Sequence, residues 1–452
     1  MARDGGGRTG GHRGIELPFR ALARRSSYLL LAALAALAAL PRLAVLLHER
    51  GTITSAYVDK GSDFARTFLA SGTYGFIPGR PSAYTQPLYG FFLVPLYWIF
   101  GRSWVVVGLA QIAVAVATAL LVYEIGRRFV SRRAGFVAAA VATLHPYLVW
   151  HDVHMNREIL DELLAVAVVL LTLLVAERLS LPLAVGLGAV LGLAVLGNVR
   201  LVVLPALIAA FLVVLGRRAA VVPAVVAVAV SALVVTPWVV RNEVSVGCFT
   251  LTTDGRALWK ANNPNTLRTL EAGKWIDDVP GIPGAPPTPQ DIGAVYRQTG
   301  HAPPPVDECA QMHYYRHLAL EFMRKHPGEK AKLAGIGAEW LWQPSVTRTE
   351  GRRGAGTSLD VGRSVVEPLF MVVLYALAAV GLFLVPRRLA ALAVILLAYD
   401  TLTAMLFAGE TRYRVPWDFL IALLAATAAL RIVELVRRRI ASPGTAPSAR
   451  SA

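Results

Sequence analysis

The chain has 452 residues and a formal charge of +16, yet only 16% of it is charged and 55% is hydrophobic. Its apolar residues come in long runs rather than amphipathic stripes, which excludes an ordinary soluble core. The arginines punctuate these runs and form no basic face interleaved with aromatics, which excludes nucleic acid as the reason for the charge.

A Gly- and Arg-rich tail over 1–26, expected to be disordered, leads into a first span at 27–47. That run is too long and too weakly bounded for a cleaved signal and reads as a retained helix. Further spans are expected at 104–126, 134–150, 159–176, 181–197, 201–216, 219–240, 365–385, 389–408 and 416–434. Together they describe an all-α polytopic membrane protein of about ten transmembrane helices. Residues 437–452 form a second tail. The apolar stretch from Pro87 to Phe100 is too short to cross and suits an interfacial helix.

Arginine clusters precede the first span and recur at Arg127, Arg128, Arg132 and Arg133, at Arg178, at Arg217 and Arg218, at Arg387 and Arg388, and at 437–439. With these spans every cluster falls on one side, which the positive-inside rule makes cytoplasmic together with both termini. Two sizeable segments then lie outside. The first outer loop, 48–103, belongs to an N-terminal transmembrane module at 27–240 and should carry short interfacial helices. The second, an outer domain at 241–364 between helices 7 and 8, is too long for a connector and should form a partly helical cap. The helices of 365–436 complete the membrane part.

Short outer loops have no topological reason to carry arginine, so Arg157, Arg200, Arg412 and Arg414 stand out, with Arg241 opening the large loop. Asp59, Asp63, Asp152, Glu158 and Glu410 share that face. Guanidinium groups match phosphate oxygens bidentately, and a carboxylate accepts a proton from a hydroxyl. Such a set at the mouth of an apolar bundle suits an amphiphile with an anionic head. The competing reading is solvated loop charges that pair with one another.

His145, His151 and His154 crowd beside one span, where a solvated cluster outweighs a metal site. Tyr57, Tyr74, Tyr84, Tyr89 and Tyr97, with Trp98 and Trp104, read as an interfacial aromatic belt before a sugar platform. Arg42 reads as snorkelling, and Asp400 lies inside the ninth span. Cys248 and Cys309 share the outer loop, where a bridge and two buried free thiols both fit. No phosphate-binding loop, dinucleotide fingerprint or Ser-His-Asp pattern occurs in a credible context.

Five segments carry a family resemblance. They are DKGSDFARTFLASGTYGF and YTQPLYGFFLVPLYWIF within 59–100, TPWVVRNEVSVGCFTLTTDGRALWKANNP at 236–264, YYRHLALEFMRKHPGEKAKLAG at 314–335 and ETRYRVPWDFL at 410–420. In this order the set resembles the GT-C membrane glycosyltransferases, in the branch of dolichyl-phosphate-mannose protein mannosyltransferases and lipid A aminoarabinose transferases. The resemblance implies transfer of a monosaccharide from a polyprenyl-phosphate donor to a lipid, glycan or protein acceptor hydroxyl at the outer face of the bilayer; because a single displacement needs no enzyme-bound sugar, inversion is expected. It places Asp59 as the catalytic carboxylate, Asp63 as second choice one helical turn on, and Glu158 as the match of an acid that relatives carry at the start of the fourth span. It maps the lipid-phosphate contacts onto Arg412 and Arg414, then Arg241 and Arg200, with Tyr84, Gln86 and Tyr413 as further candidates for substrate contact. Some relatives carry an acid where this chain has Gln86, which weakens a metal role there; a divalent metal is left open and no other cofactor is expected. Two rivals are a ligase or polymerase using lipid-diphosphate oligosaccharides, and a transporter, against which no internal repeat is evident.

Overall fold

The computed structural model describes residues 16–55, 58–344 and 362–441; Tyr57, the loop segment 345–361 and the outermost parts of both expected tails lie outside them. The regular structure of the described residues is helical, with one isolated bridge between Ile77 and Arg80.

The helices are α1 (Glu16–Glu49), α2 (Lys60–Ser71), α3 (Pro87–Phe100), α4 (Trp104–Phe129), α5 (Arg132–Thr143), α6 (Pro146–His151), α7 (Glu158–Arg178), α8 (Leu181–Gly197), α9 (Leu204–Gly216) and α10 (Val221–Val246). After them come α11 (Gly255–Ala261), α12 (Thr266–Glu271), α13 (Pro289–Thr299), α14 (Glu308–Lys325), α15 (Pro327–Trp342), α16 (Glu367–Gly381), α17 (Arg387–Leu406), α18 (Thr411–Arg414) and α19 (Asp418–Ala441). Seven described stretches are long and apolar enough to cross a membrane, and one of these, Val199–Val246, is 48 residues long and contains both α9 and α10. Leu181–Gly197 and Pro87–Phe100 are shorter apolar helices. The run expected as one span at 134–150 is two helices, because Pro146 cannot donate to the preceding turn and the chain breaks at His145. Helix α1 already runs from Glu16, and α19 continues to Ala441.

Bundle packing follows small residues. Helix α8 lies against α10, and a Cβ on its Gly188 would sit 2.5 Å from the Ala227 carbonyl oxygen, so only glycine lets the backbones approach this closely. Helix α19 packs on α5 and α16, and its Phe419 to Ala426 are all buried in the main core.

Between α1 and α4 the chain folds back as α2, an ordered loop and α3. Gly61 and Gly90 meet at the α2–α3 crossing, where a Cβ on Gly61 would lie 2.9 Å from the Gly90 nitrogen. The Tyr74 hydroxyl donates to the Pro87 carbonyl at 2.9 Å, and Phe64, Tyr74, Phe76, Tyr84 and Trp238 bury one another. Most of the expected aromatic belt is therefore a packed core; Trp98, 77% exposed, keeps the belt position.

The segment between α10 and α16 forms helices α11 to α15 over this loop. Cys248 and Cys309 are bridged, with α-carbons 5.4 Å apart, which ties the end of α10 to the start of α14. The neighbouring Glu308 carboxylate accepts from the Ala83 amide and the Thr253 hydroxyl. Arg241 donates to the carbonyls of Ser82 and Tyr74, at 2.9 Å each.

Candidate functional site

A cavity of about 650 Å³ lies where the ends of α6, α7, α8 and α17 meet α2, α18 and the cap. Its lining includes Asp59, Tyr84, Gln86, Arg157, Glu158, Arg200, Glu410, Arg412 and Tyr413 from the bundle side, and Asp254, Lys260, Trp275, Asp277 and Gln290 from the cap. Residues from the first outer loop and from the last thus face one space.

Asp59 is the N-cap of α2: its Oδ1 accepts from the Gly61 amide at 2.7 Å. Its own amide donates to the Met155 carbonyl at 2.8 Å, so backbone and carboxylate are both held. Burial pushes this carboxyl above the usual carboxylate range; Arg157 and the Gly61 amide pull it back only in part, and Glu158 adds to the rise. Next to it Arg157 donates to the Gln86 side-chain oxygen at 2.6 Å, so Gln86 here serves as an arginine anchor.

Arg200 and Arg412 flank one aromatic ring. The Arg200 guanidinium stands 3.6 Å from the Tyr413 ring centre and that of Arg412 stands 4.9 Å from it. Arg412 also pairs with Glu410 at 2.7 Å and donates to the Tyr413 hydroxyl. Arg200 is held by donating to the Ala408 carbonyl. Two separate short turns, one after α8 and one after α17, thereby present two planar cations, with bidentate donors, to the same space.

Toward the cap, Lys60 pairs with Asp254 at 3.3 Å and lies 4.8 Å from the Tyr84 ring centre. Lys260 pairs with Asp277 at 2.7 Å. Burial pushes the Tyr84 phenol well above its ordinary value, with Asp254 adding to the rise, so it stays a neutral hydrogen-bonding group.

Several candidate residues lie elsewhere. Asp63 turns outward and pairs with Arg297 on α13 at 2.6 Å. Arg241 is used in bracing the first loop, as above. Arg414, fully buried, pairs with Asp418 at 3.0 Å and donates to the carbonyls of Leu341 and Gln343, away from the cavity. The rotation of a short helix sends its neighbours Arg412 and Tyr413 to the cavity instead. Arg42 does not snorkel: it is 1% exposed and pairs with the equally buried Asp152 at 2.7 Å. The three histidines are buried, not solvated, and separate: His145 meets Asp418 at 3.2 Å, His151 lines the cavity, and His154 faces Glu49. Asp400 is buried in α17 and does not line the cavity. Among the described residues, the one set of His, Cys or acidic side chains within shared ligand reach is Cys248, Cys309 and His313, and both its sulfurs are bridged.

Sequence reasoning missed Lys60, which directly follows Asp59, and Lys260, Trp275 and Asp277, whose signal was a run of mixed charge and tryptophan in a long loop. It also missed Gln111, an isolated amide inside an apolar span, which is itself a signal.

Residues 81–240 match the family model described as dolichyl-phosphate-mannose-protein mannosyltransferase. The archaeal oligosaccharyltransferase AglB from Archaeoglobus fulgidus, solved with an inhibitory peptide and a dolichol-phosphate, superposes with a TM-score of 0.52 over 93% of this chain, at 14% identity. The fold is similar to that of this oligosaccharyltransferase. The apo form of the Archaeoglobus fulgidus oligosaccharyltransferase gives 0.51 over 91% of this chain at 16% identity. This chain spans about half the length of both, 52% in each case. ArnT from Cupriavidus metallidurans bound to undecaprenyl phosphate is also similar, with a TM-score of 0.40 and 15% identity, over 93% of this chain and 81% of that one. No curated protein sequence matches.

Proposed function

We propose that this chain is a membrane glycosyltransferase that moves a monosaccharide from a polyprenyl-phosphate donor to an acceptor hydroxyl at the outer face of the membrane. The observation that carries the reading is one cavity in which a carboxylate of raised proton affinity, Asp59, shares the space with the guanidinium groups of Arg157, Arg200 and Arg412. Asp59 takes the acceptor's hydroxyl proton as the oxygen bonds to the anomeric carbon. The bond from that carbon to the phosphate oxygen breaks, and the electron pair leaves with the lipid phosphate. Arg200 and Arg412 balance the charge gathering there. A single displacement inverts the anomeric centre. The family description and the dolichol-phosphate held by AglB support a lipid-linked donor. Both termini and the arginine clusters of the far helix ends then lie in the cytoplasm, and Cys248–Cys309 lies in an oxidising compartment.

The test uses purified protein in nanodiscs, a panel of radiolabelled undecaprenyl-phosphate sugars and a membrane extract as acceptor source. The expected result is labelled product with the opposite anomeric configuration. Cleavage only of diphosphate-linked oligosaccharides, or movement of intact donor across a vesicle, would replace this reading with a ligase or a transporter.

A further inference from the structure

Gln111 is fully buried two turns into α4, in an otherwise apolar stretch. Its Nε2 donates to the carbonyls of Asp152 and His154, at 2.5 and 2.7 Å, and its Oε1 accepts from the Tyr89 hydroxyl on α3 at 2.7 Å. Two carbonyls and one hydroxyl fix the orientation of the amide, since only its nitrogen can donate twice. The carbonyls it holds belong to the turn after α6, whose next residue, Met155, accepts the Asp59 amide. Two residues further on, the same turn carries Arg157 into the cavity. From the other side Arg42 binds Asp152 through Nε and Nη2 and binds the Thr143 carbonyl, joining α1 and α5 to the turn.

We propose that Gln111 is a positioning residue, which sets the 152–157 turn and through it the placement of Asp59 and Arg157. An uncharged amide suits this role because it clamps two carbonyls without adding a charge that would compete with the cavity's own. A lysine or arginine there would place an unpaired cation inside the bundle, and an alanine would take the Gln111 donor from the Asp152 carbonyl and leave the His154 carbonyl with the Asn156 amide alone.

The inference rests on the proposed role of Asp59, so its experiment includes a readout that needs no sugar substrate. Dicyclohexylcarbodiimide labels protonated, desolvated carboxyl groups, and mass spectrometry follows labelling of Asp59 against pH. In wild-type protein the midpoint lies above the ordinary carboxylate range. In Gln111→Met, which keeps the side-chain volume, the turn loosens, water reaches Asp59 and the midpoint falls toward that range. Turnover of the donor falls on the order of 10- to 100-fold, with a smaller change in KM, because misplacement of about 1 Å costs this much. Tyr89→Phe, which keeps the ring and removes one bond, shifts both in the same direction by less. A labelling midpoint and kcat that stay at wild-type values in folded Gln111→Met and Tyr89→Phe overturn the inference. If Asp59→Asn itself keeps full turnover, the reading of the site falls first; if Asp59→Asn is inactive while the Gln111 variant is unchanged, only the inference falls.

Discussion

At the bundle end of the cavity the charged groups are interlocked: Asp59 caps α2 and is anchored, Arg157 holds Gln86, and Arg200 and Arg412 flank Tyr413. At the cap end the charges form two simple pairs, and Asp277 is 70% exposed. Interlocked charge has fixed geometry, whereas an isolated exposed pair contributes about 1 kcal/mol at most. On the proposed reading the bundle end would meet transition-state charge, and the cap end would read a polar substrate by adjustable hydrogen bonds. Variants in the two regions should differ accordingly.

The largest effect is expected at Asp59. Asp59→Asn keeps the α2 cap and the fold, yet turnover drops by about two to four orders of magnitude, the range for loss of a general base. Asp63→Asn, which breaks only a half-exposed pair with Arg297, stays near wild type. Steady-state rates in nanodiscs check both, and a reversed ranking removes Asp59 from the mechanism.

Next come the two arginines of the RYR segment, which separate binding from folding. Arg414→Ala leaves Asp418 buried without its guanidinium and should destabilise the protein by about 3–5 kcal/mol. Arg412→Ala takes a partner from the buried Glu410 but removes a guanidinium that is itself partly exposed, so it should cost less stability than Arg414→Ala while binding donor lipid on the order of tenfold more weakly, and lysine should restore only part of the affinity. Thermal melts and lipid-binding titrations of the same preparations would show whether the two effects divide this way.

The disulfide joins the cap to α10 across 61 residues, and in the chain-entropy model its reduction costs about 4 kcal/mol. Maleimide labelling read by intact mass should find no free thiol before reduction and two after it. Two labelled thiols in freshly isolated, unreduced membranes would refute the bridge.

Acid should act chiefly at the bundle end. Asp59 must be ionised to take a proton, and burial holds its carboxyl above the ordinary carboxylate range, so the acid limb of kcat/KM should sit above that range too. The sign for stability is opposite: a raised folded-state value contributes stability below the unfolded pKa, and this is lost as pH rises through the folded one. A limb at ordinary carboxylate pH would mean that Asp59 is solvated in the working enzyme.

The smallest change belongs to the cap. Lys260→Ala removes a pair with a mostly exposed partner, so stability should move by under about 1 kcal/mol, and any effect should appear as altered preference among donor sugars. A loss of turnover as large as that of Asp59→Asn would erase the distinction between the two ends.

Membrane class, helix-rich fold and the order of the converging segments are legible in the sequence alone. Hydrophobic runs and their flanking arginines act locally, through the transfer of whole segments into lipid, and so can be read one window at a time. Asp59, Glu158, Arg200 and Arg412 are legible too, as chemistry out of place. Packing in three dimensions, by contrast, brings Arg412 to the cavity while Arg414, two residues away, locks Asp418. It also turns Asp63 toward α13, sets Arg42 against Asp152 and places Gln111 under the turn that carries Arg157. Those outcomes depend on which distant group lies opposite each side chain. A buried guanidinium must be paired wherever the fold supplies a carboxylate, and the partner's identity, 110 positions away for Arg42 and Asp152, is set by packing between helices that no local pattern encodes.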